Sequence, residues 1–238
     1  TKEIFQNSNN FSNVLELCTG VFDFEHVLLM GWYAHHQQNK PVKDAVKTVY
    51  PELKAYLQDT KPSSFANDTQ WCIEYFHEYK KAKLLDAYTN EIATFIKEKN
   101  ATSKTFYQWY YSFDESHDVL AEVSHNPILC PDKVYWIDGL GAEFFPYLLY
   151  LIDGKHSNIK VVRSQITRAT IPSSTSLNRF DGVNVIKYGA LDELGHDSHG
   201  YKYLYTLNDE LAVLKSIMNE IIDTCQKQKC TIAIVSDH

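Results

Sequence analysis

Hydrophobic and polar positions along the chain change texture once, near residue 128. Before that point apolar residues recur every three or four positions, which is helical spacing. Phe11, Val14, Leu15, Cys18 and Phe22 form the first such series. Pro41 stands at the first position of a second helix, with Val42, Ala45, Val46 and Val49 on one face. That helix ends before Pro51, which restarts it through Leu53, Tyr56 and Leu57. Residues 60–64, TKPSS, read as a loop. A long stripe over 69–99 carries Trp71, Tyr75, Leu84, Leu85, Tyr88, Ile92, Phe95 and Ile96, and 103–111 predicts a further helix.

Beyond residue 128 short apolar runs alternate with helical patterns. Residues 134–137, Val-Tyr-Trp-Ile, stand between the loop-like 130–133 and Asp138, and read as a buried parallel strand. A helix follows through Phe144, Tyr147, Leu148 and Leu151. Residues 159–163 predict a second strand, 171–175 a loop and 183–187 a third strand. A helix over 207–227 has Thr206 or Asn208 as its cap, Asp209 and Glu210 in its first turn, and Leu211, Leu214, Ile217, Ile221 and Cys225 as its inner stripe. Residues 231–235 close as a fourth strand. The alternation predicts an α/β domain with a largely parallel sheet and flanking helices over 129–238, preceded by an all-helical accessory or interaction domain over 1–128.

Composition narrows the picture. At 44% hydrophobic and 22% charged, the 238 residues have the make-up of an ordinary globular chain. The net charge of −7 argues against holding nucleic acid through overall charge, and leaves a local basic groove open. Five scattered cysteines form no CxxC pair, so neither a zinc ribbon nor a thioredoxin-type site is indicated, and reduced thiols in the cytoplasm are expected. The apolar run 144–152 contains Pro146 and is too short to span a membrane. The chain lacks an initial methionine and stops at His238 directly after an apolar run, which suggests a piece of a longer protein.

Candidate chemistry gathers at strand ends, where open α/β sheets hold their ligands. Asp138 ends the first strand; as an alternative, it simply caps the helix that follows. Asp192 and His196 lie four apart after the third strand, and Asp237 and His238 end the fourth. Carboxylates and imidazoles are the ligands of zinc and manganese, and two such ions about 3.5–4 Å apart clamp the attacking and leaving oxygens of a phosphoryl transfer. The histidines of the helical half offer no such grouping. His35 and His36 are adjacent and point apart on a helix, and His26, His77 and His125 lack partners at ligand spacing.

The order Asp, Thr/Ser, Asp-x-x-x-His, Asp-His resembles the alkaline phosphatase superfamily, nearest in pattern to its phosphodiesterase and nucleotide pyrophosphatase branch. The strand ending in Asp138 and the later loop 172–178, Pro-Ser-Ser-Thr-Ser-Leu-Asn, resemble the PglZ domain of that superfamily, found in bacterial phage-defence (BREX) systems. The resemblance covers about 130–238 and implies an alkaline-phosphatase-like core, truncated here. It places the nucleophile at Thr175, with Ser173, Ser174 and Thr170 as competing hydroxyls. It implies two divalent ions, zinc first and manganese or magnesium as alternatives. Asp138, Thr175, Asp237 and His238 would hold one, and Asp192 and His196 the other. The family's further histidine has no counterpart after His238, and His199 is the substitute at hand. Arg163, Arg168, Arg179 and Lys187 flank the loop as candidates for holding phosphate oxygens, or as ordinary surface cations.

The implied function is a metal-dependent phosphohydrolase, a phosphodiesterase first. Its substrate would be a phosphate ester such as a nucleotide or nucleic acid, and its partners other phage-defence proteins. A sulfatase is disfavoured because no cysteine lies near Thr175. A phosphomutase stays open. From a different class, a non-catalytic PglZ-like scaffold would keep the site residues and recruit partners. The plainest alternative is an α/β domain whose acidic strand ends are caps.

Overall fold

The run that ends at Asp138 organises the sheet. In a computed structural model, which describes residues 11–60, 69–102, 105–154, 158–196 and 201–237, β1 (Lys133–Ile137) buries Val134, Tyr135, Trp136 and Ile137. It is the centre of a three-stranded parallel sheet, between β2 (Val185–Tyr188) and β3 (Ile232–Val235). Trp136 is in register with Lys187 on one side and with Val235 on the other. A strand flanked on both edges and covered on both faces must be apolar throughout, which is what 134–137 supplies.

The second predicted strand is a correction. Residues 159–163 pair with neither edge and run as irregular chain, with Val162 60% exposed. The run is apolar enough for a strand, but it carries Lys160 and Arg163, and Arg163 is drawn to Glu122 at 2.9 Å. The long helix in the sheet half also begins differently. Instead of a Thr206 or Asn208 cap, it starts at Tyr205 after Leu204, which has φ +64°. Thr206 accepts a hydrogen bond from the Lys202 N–H at 3.0 Å, and Asn208 is buried inside the helix.

The helical half runs through α1 (Phe11–Leu15), α2 (Asp23–His35), α3 (Lys40–Val49), α4 (Pro51–Tyr56), α5 (Thr69–Leu85), α6 (Asn90–Asn100), α7 (Phe106–Tyr110) and α8 (Ser116–His125). Asn39 caps α3 by accepting from the Val42 N–H, ahead of Pro41. The predicted 69–99 stripe is two helices. Asp86 turns left-handed at φ +48°, and the Thr89 hydroxyl caps the restart by accepting from the Ile92 N–H. The first apolar series is likewise broken, by a turn at 16–20. There the Glu25 carboxylate accepts from the backbone N–H groups of Thr19, Gly20 and Val21 and from the Thr19 hydroxyl. Residues 61–64 of the predicted loop lie outside the described residues.

One cluster of buried side chains draws on both halves. Leu29, Met30, Val46, Leu53 and Tyr56 share it with Tyr135 and Ile137 of β1, with Tyr147 of α9 (Phe145–Asp153), and with Leu207, Leu211, Leu214 and Ile221 of α12 (Tyr205–Gln228). Between α9 and α12 the chain also forms α10 (Thr175–Asn178) and α11 (Ala190–His196). Polar contacts pin the same seam. The Tyr50 hydroxyl donates to Asn208 Oδ1 at 2.9 Å, the Tyr203 hydroxyl to the Leu84 carbonyl at 2.9 Å, and Lys215 pairs with Glu52. A second, aromatic cluster joins Trp71 and Trp109 with Phe95, Phe113 and Ile166.

Candidate active site

Side chains alternate across a sheet with period two. Tyr135, Ile137, Tyr188, Ile232 and Ile234 face the shared core. The other face of the sheet therefore carries Val134 and Trp136, Lys187, and Ala233 and Val235, and the alternation continues into Asp138 and Asp237 just past the strand ends. Both carboxylates are buried, Asp138 at 3% exposure and Asp237 at 1%. Burying ionised carboxylates is costly without compensating partners, and each has one here.

Trp136 is the hub. Its Nε1–H donates to Asp237 Oδ1 at 2.9 Å. The Lys187 Nζ lies 4.3 Å from its ring centre and forms an ion pair with Asp138 Oδ2 at 2.5 Å. Phe180 meets its edge, with ring centres 5.8 Å apart and planes at 70°. One indole thus touches the residue that holds the first acid, the second acid itself, and Phe180, two residues past the 172–178 loop. Nothing in the sequence marks Trp136 as more than a core aromatic. Lys187, expected beside the loop, lies instead on Asp138.

Asp192 reaches the same strand end through backbone. Gly139 has φ +77°, and a Cβ there would stand 3.0 Å from Asp192 Cα. Glycine thereby lets the start of α11 close on the end of β1. His196 Nε2 lies 3.3 Å from Asp192 Oδ1, one helical turn away and well exposed. The i, i+4 pair read from the sequence is thus formed.

The 172–178 loop is closed by its asparagine. Asn178, 2% exposed, accepts from the Thr170 N–H at 2.6 Å and donates to the carbonyls of Thr170 and Ser174, both at 3.1 Å. Its side chain thus acts as a strut across the loop's base, and Thr175 opens the helical turn α10, half-buried. Among the competing hydroxyls, Thr170 lies 3.4 Å from Glu115 and Ser174 lies 3.1 Å from Ser176. Ser173 is exposed. His117, which the sequence did not single out, stacks on Phe180 at 4.5 Å and contacts the Arg179 carbonyl at 3.0 Å.

The three arginines have partners of their own. Arg163 forks onto Glu122 and also donates to Gln165. Arg168 pairs with Glu115 at 2.6 Å, and Arg179 with Asp181 at 2.7 Å. Histidines of the helical half serve structure. His26 stacks on Tyr50 at 4.0 Å, and His125 bonds the Ala121 carbonyl.

His238 and His199 lie outside the described residues. Among the described residues no group of three or more histidine, cysteine, aspartate or glutamate side chains is arranged to hold a metal ion. Two of the expected ligands, Asp138 and Asp237, are buried carboxylates at neighbouring strand ends, and Lys187 already lies on an oxygen of Asp138. Asp192 and His196 pair with each other on α11. Among the described residues no helix is long and apolar enough to cross a membrane. No protein-family model matches the chain, and neither does any curated protein or solved structure.

Proposed function

We propose that this chain is a metal-dependent phosphohydrolase with an alkaline-phosphatase-like core of the PglZ type, acting first on phosphodiesters. One observation carries the reading. Two buried carboxylates, Asp138 and Asp237, stand on one face of a parallel sheet at the carboxyl ends of adjacent strands. Ligand chemistry belongs at that position in an open α/β sheet.

Asp138 and Asp237, with Thr175 and His238, would hold one divalent ion, zinc first, and Asp192 with His196 would hold the other. Bound there, the ions would supply positive charge to the attacking and leaving oxygens. The chain does the rest. Asn178 fixes the loop so that Thr175 opens a helical turn. Thr175 Oγ attacks phosphorus as the bond to the leaving oxygen breaks, and the hydroxyl proton passes to solvent. Water then attacks the phosphothreonine and frees Thr175. The substrate class is a nucleotide, a nucleic-acid backbone or another phosphate ester, and the setting a cytoplasmic phage-defence assembly with other defence proteins as partners.

One observation favours the scaffold alternative: Lys187 already compensates Asp138. The two readings separate on turnover of generic aryl phosphodiesters and phosphomonoesters by the intact chain loaded with Zn²⁺ or Mn²⁺. The enzyme reading predicts metal-dependent turnover that falls by more than about a thousandfold in Thr175→Ala. Turnover equal in wild type and Thr175→Ala contradicts it and leaves the scaffold.

A further inference from the structure

All five cysteines are free thiols, and two of them meet where α12 hands over to β3. Cys225 lies in the last turn of α12, and Lys229, one residue past the helix, turns left-handed at φ +51°. A left-handed residue at that place folds the chain back over the helix end. The residue after it then packs against the helical side chain about five positions earlier. Here both of those positions are cysteine. Cys225 Sγ donates to the Cys230 carbonyl at 3.1 Å. Burial first, and then the Cys230 thiol alongside, push the Cys225 thiol up. Both residues are half-buried, so a small reagent can reach them.

The other cysteines are placed differently. Cys72 is buried, and burial pushes its thiol up to about 12. Cys18 follows α1 in the helical half. Cys130 is exposed and is the rival partner, because its stretch runs beside that of Cys230. The Asp132 N–H donates to the Thr231 carbonyl at 2.8 Å, and Asp132 Oδ2 accepts from the Thr231 N–H at 2.7 Å.

We propose that Cys225 and Cys230 are a site of reversible oxidation, closing to a disulfide across the end of α12 on reaction with a low-molecular-weight disulfide. Cys230, as thiolate, attacks one sulfur of the reagent, and the other reagent sulfur leaves as a thiolate. Cys225 Sγ then attacks Cys230 Sγ in the mixed disulfide, its proton passes to solvent, and the second reagent sulfur leaves. The two cysteines together lose two protons and two electrons, and the reagent becomes two thiols. The new bond fastens the end of α12 to the start of β3, the strand that leads to Asp237. The inference needs no metal ion and stands apart from the phosphohydrolase reading.

The test is equilibration of the intact native chain in mixtures of reduced and oxidised glutathione. Acid quenching, alkylation of the remaining thiols and tryptic mapping without reductant follow. Cleavage after Lys215, Lys227 and Lys229 puts the two cysteines on separate peptides, 216–227 and the one that begins at Cys230. The expected product is those two peptides joined, with Cys18, Cys72 and Cys130 alkylated, and dithiothreitol should part them again. Judged by the glutathione ratio at the midpoint, the pair should oxidise at least about tenfold more readily in the native chain than in the chain unfolded in urea, because the left-handed turn holds the sulfurs together. Cys230 joined to Cys130 overturns the assignment, and so do Cys225 and Cys230 carrying only glutathione or alkyl groups. A native pair that oxidises no more readily than the unfolded one overturns it as well.

Discussion

Single residues in this chain are placed by the partner each must find. Lys80 is 2% exposed, and its ammonium donates to the Gln58 carbonyl at 2.7 Å and to Thr60 at 3.4 Å. Burial pushes it down to about 8, against the pull of Glu143 and Asp59. The sign of the linkage follows from that direction. Between about pH 8 and 10.5 the unfolded chain holds a proton that the folded chain has released, so stability rises with pH across that window. Measured by urea denaturation, wild type should gain roughly 3 kcal/mol on Lys80→Met over the window. A flat difference would show that the amine is not held in a desolvated place. Asp138, Asp237 and Lys187 are likewise placed by contact, Asp138 with Lys187 and Asp237 with the Trp136 indole. Their residue types were legible in the sequence. That Lys187 reaches Asp138 was not, because it depends on the β1–β2 register, which no local pattern encodes. Trp136 escaped notice for a related reason, since its role lies in three contacts made by distant segments.

Among the elements, β1 and α12 were legible because each has a long, consistent pattern: four apolar residues in one case and a full inner stripe in the other. Residues 159–163 show the limit of that signal. Apolar composition allows a strand, but whether the chain pairs depends on what its charged neighbours find, here Arg163 with Glu122. The split at Asp86 was hidden by a stripe that continues in phase across the break. At the candidate site the decisive junction is the one between β1 and α11. Gly139 combines a positive φ with an approach so close that a Cβ would stand 3.0 Å from Asp192 Cα and push it back. Gly139→Ala should therefore cost about 1–3 kcal/mol in thermal or urea unfolding and move Asp192 away from the strand end. Wild-type stability in that variant would mean the junction can yield freely.

Across the whole molecule, the change in sequence texture near residue 128 does not interrupt the packing. Helices on either side of it contribute to one buried cluster, and α12 lies at the seam, touching Tyr50 through Asn208 and Glu52 through Lys215. That sharing is a consequence of long-range contacts and is invisible to a reading made window by window. Leu214 is fully buried in this cluster. Leu214→Ala should cost about 2–5 kcal/mol, and tryptophan fluorescence and far-ultraviolet circular dichroism should still report one coincident transition. Two separated transitions would mean that the helical and sheet segments unfold independently.

If Thr175 is the nucleophile of a metal-dependent phosphohydrolase, as proposed, its covalent product can be looked for directly. The intact chain, loaded with Zn²⁺ or Mn²⁺ and mixed with an aryl phosphate ester, is quenched in acid and mapped by peptide mass spectrometry. A phosphoryl group on Thr175 is expected, absent without metal and absent in Thr175→Ala. A phosphoryl group on Thr170, Ser173 or Ser174 instead, or turnover with no phosphorylated residue, would contradict it.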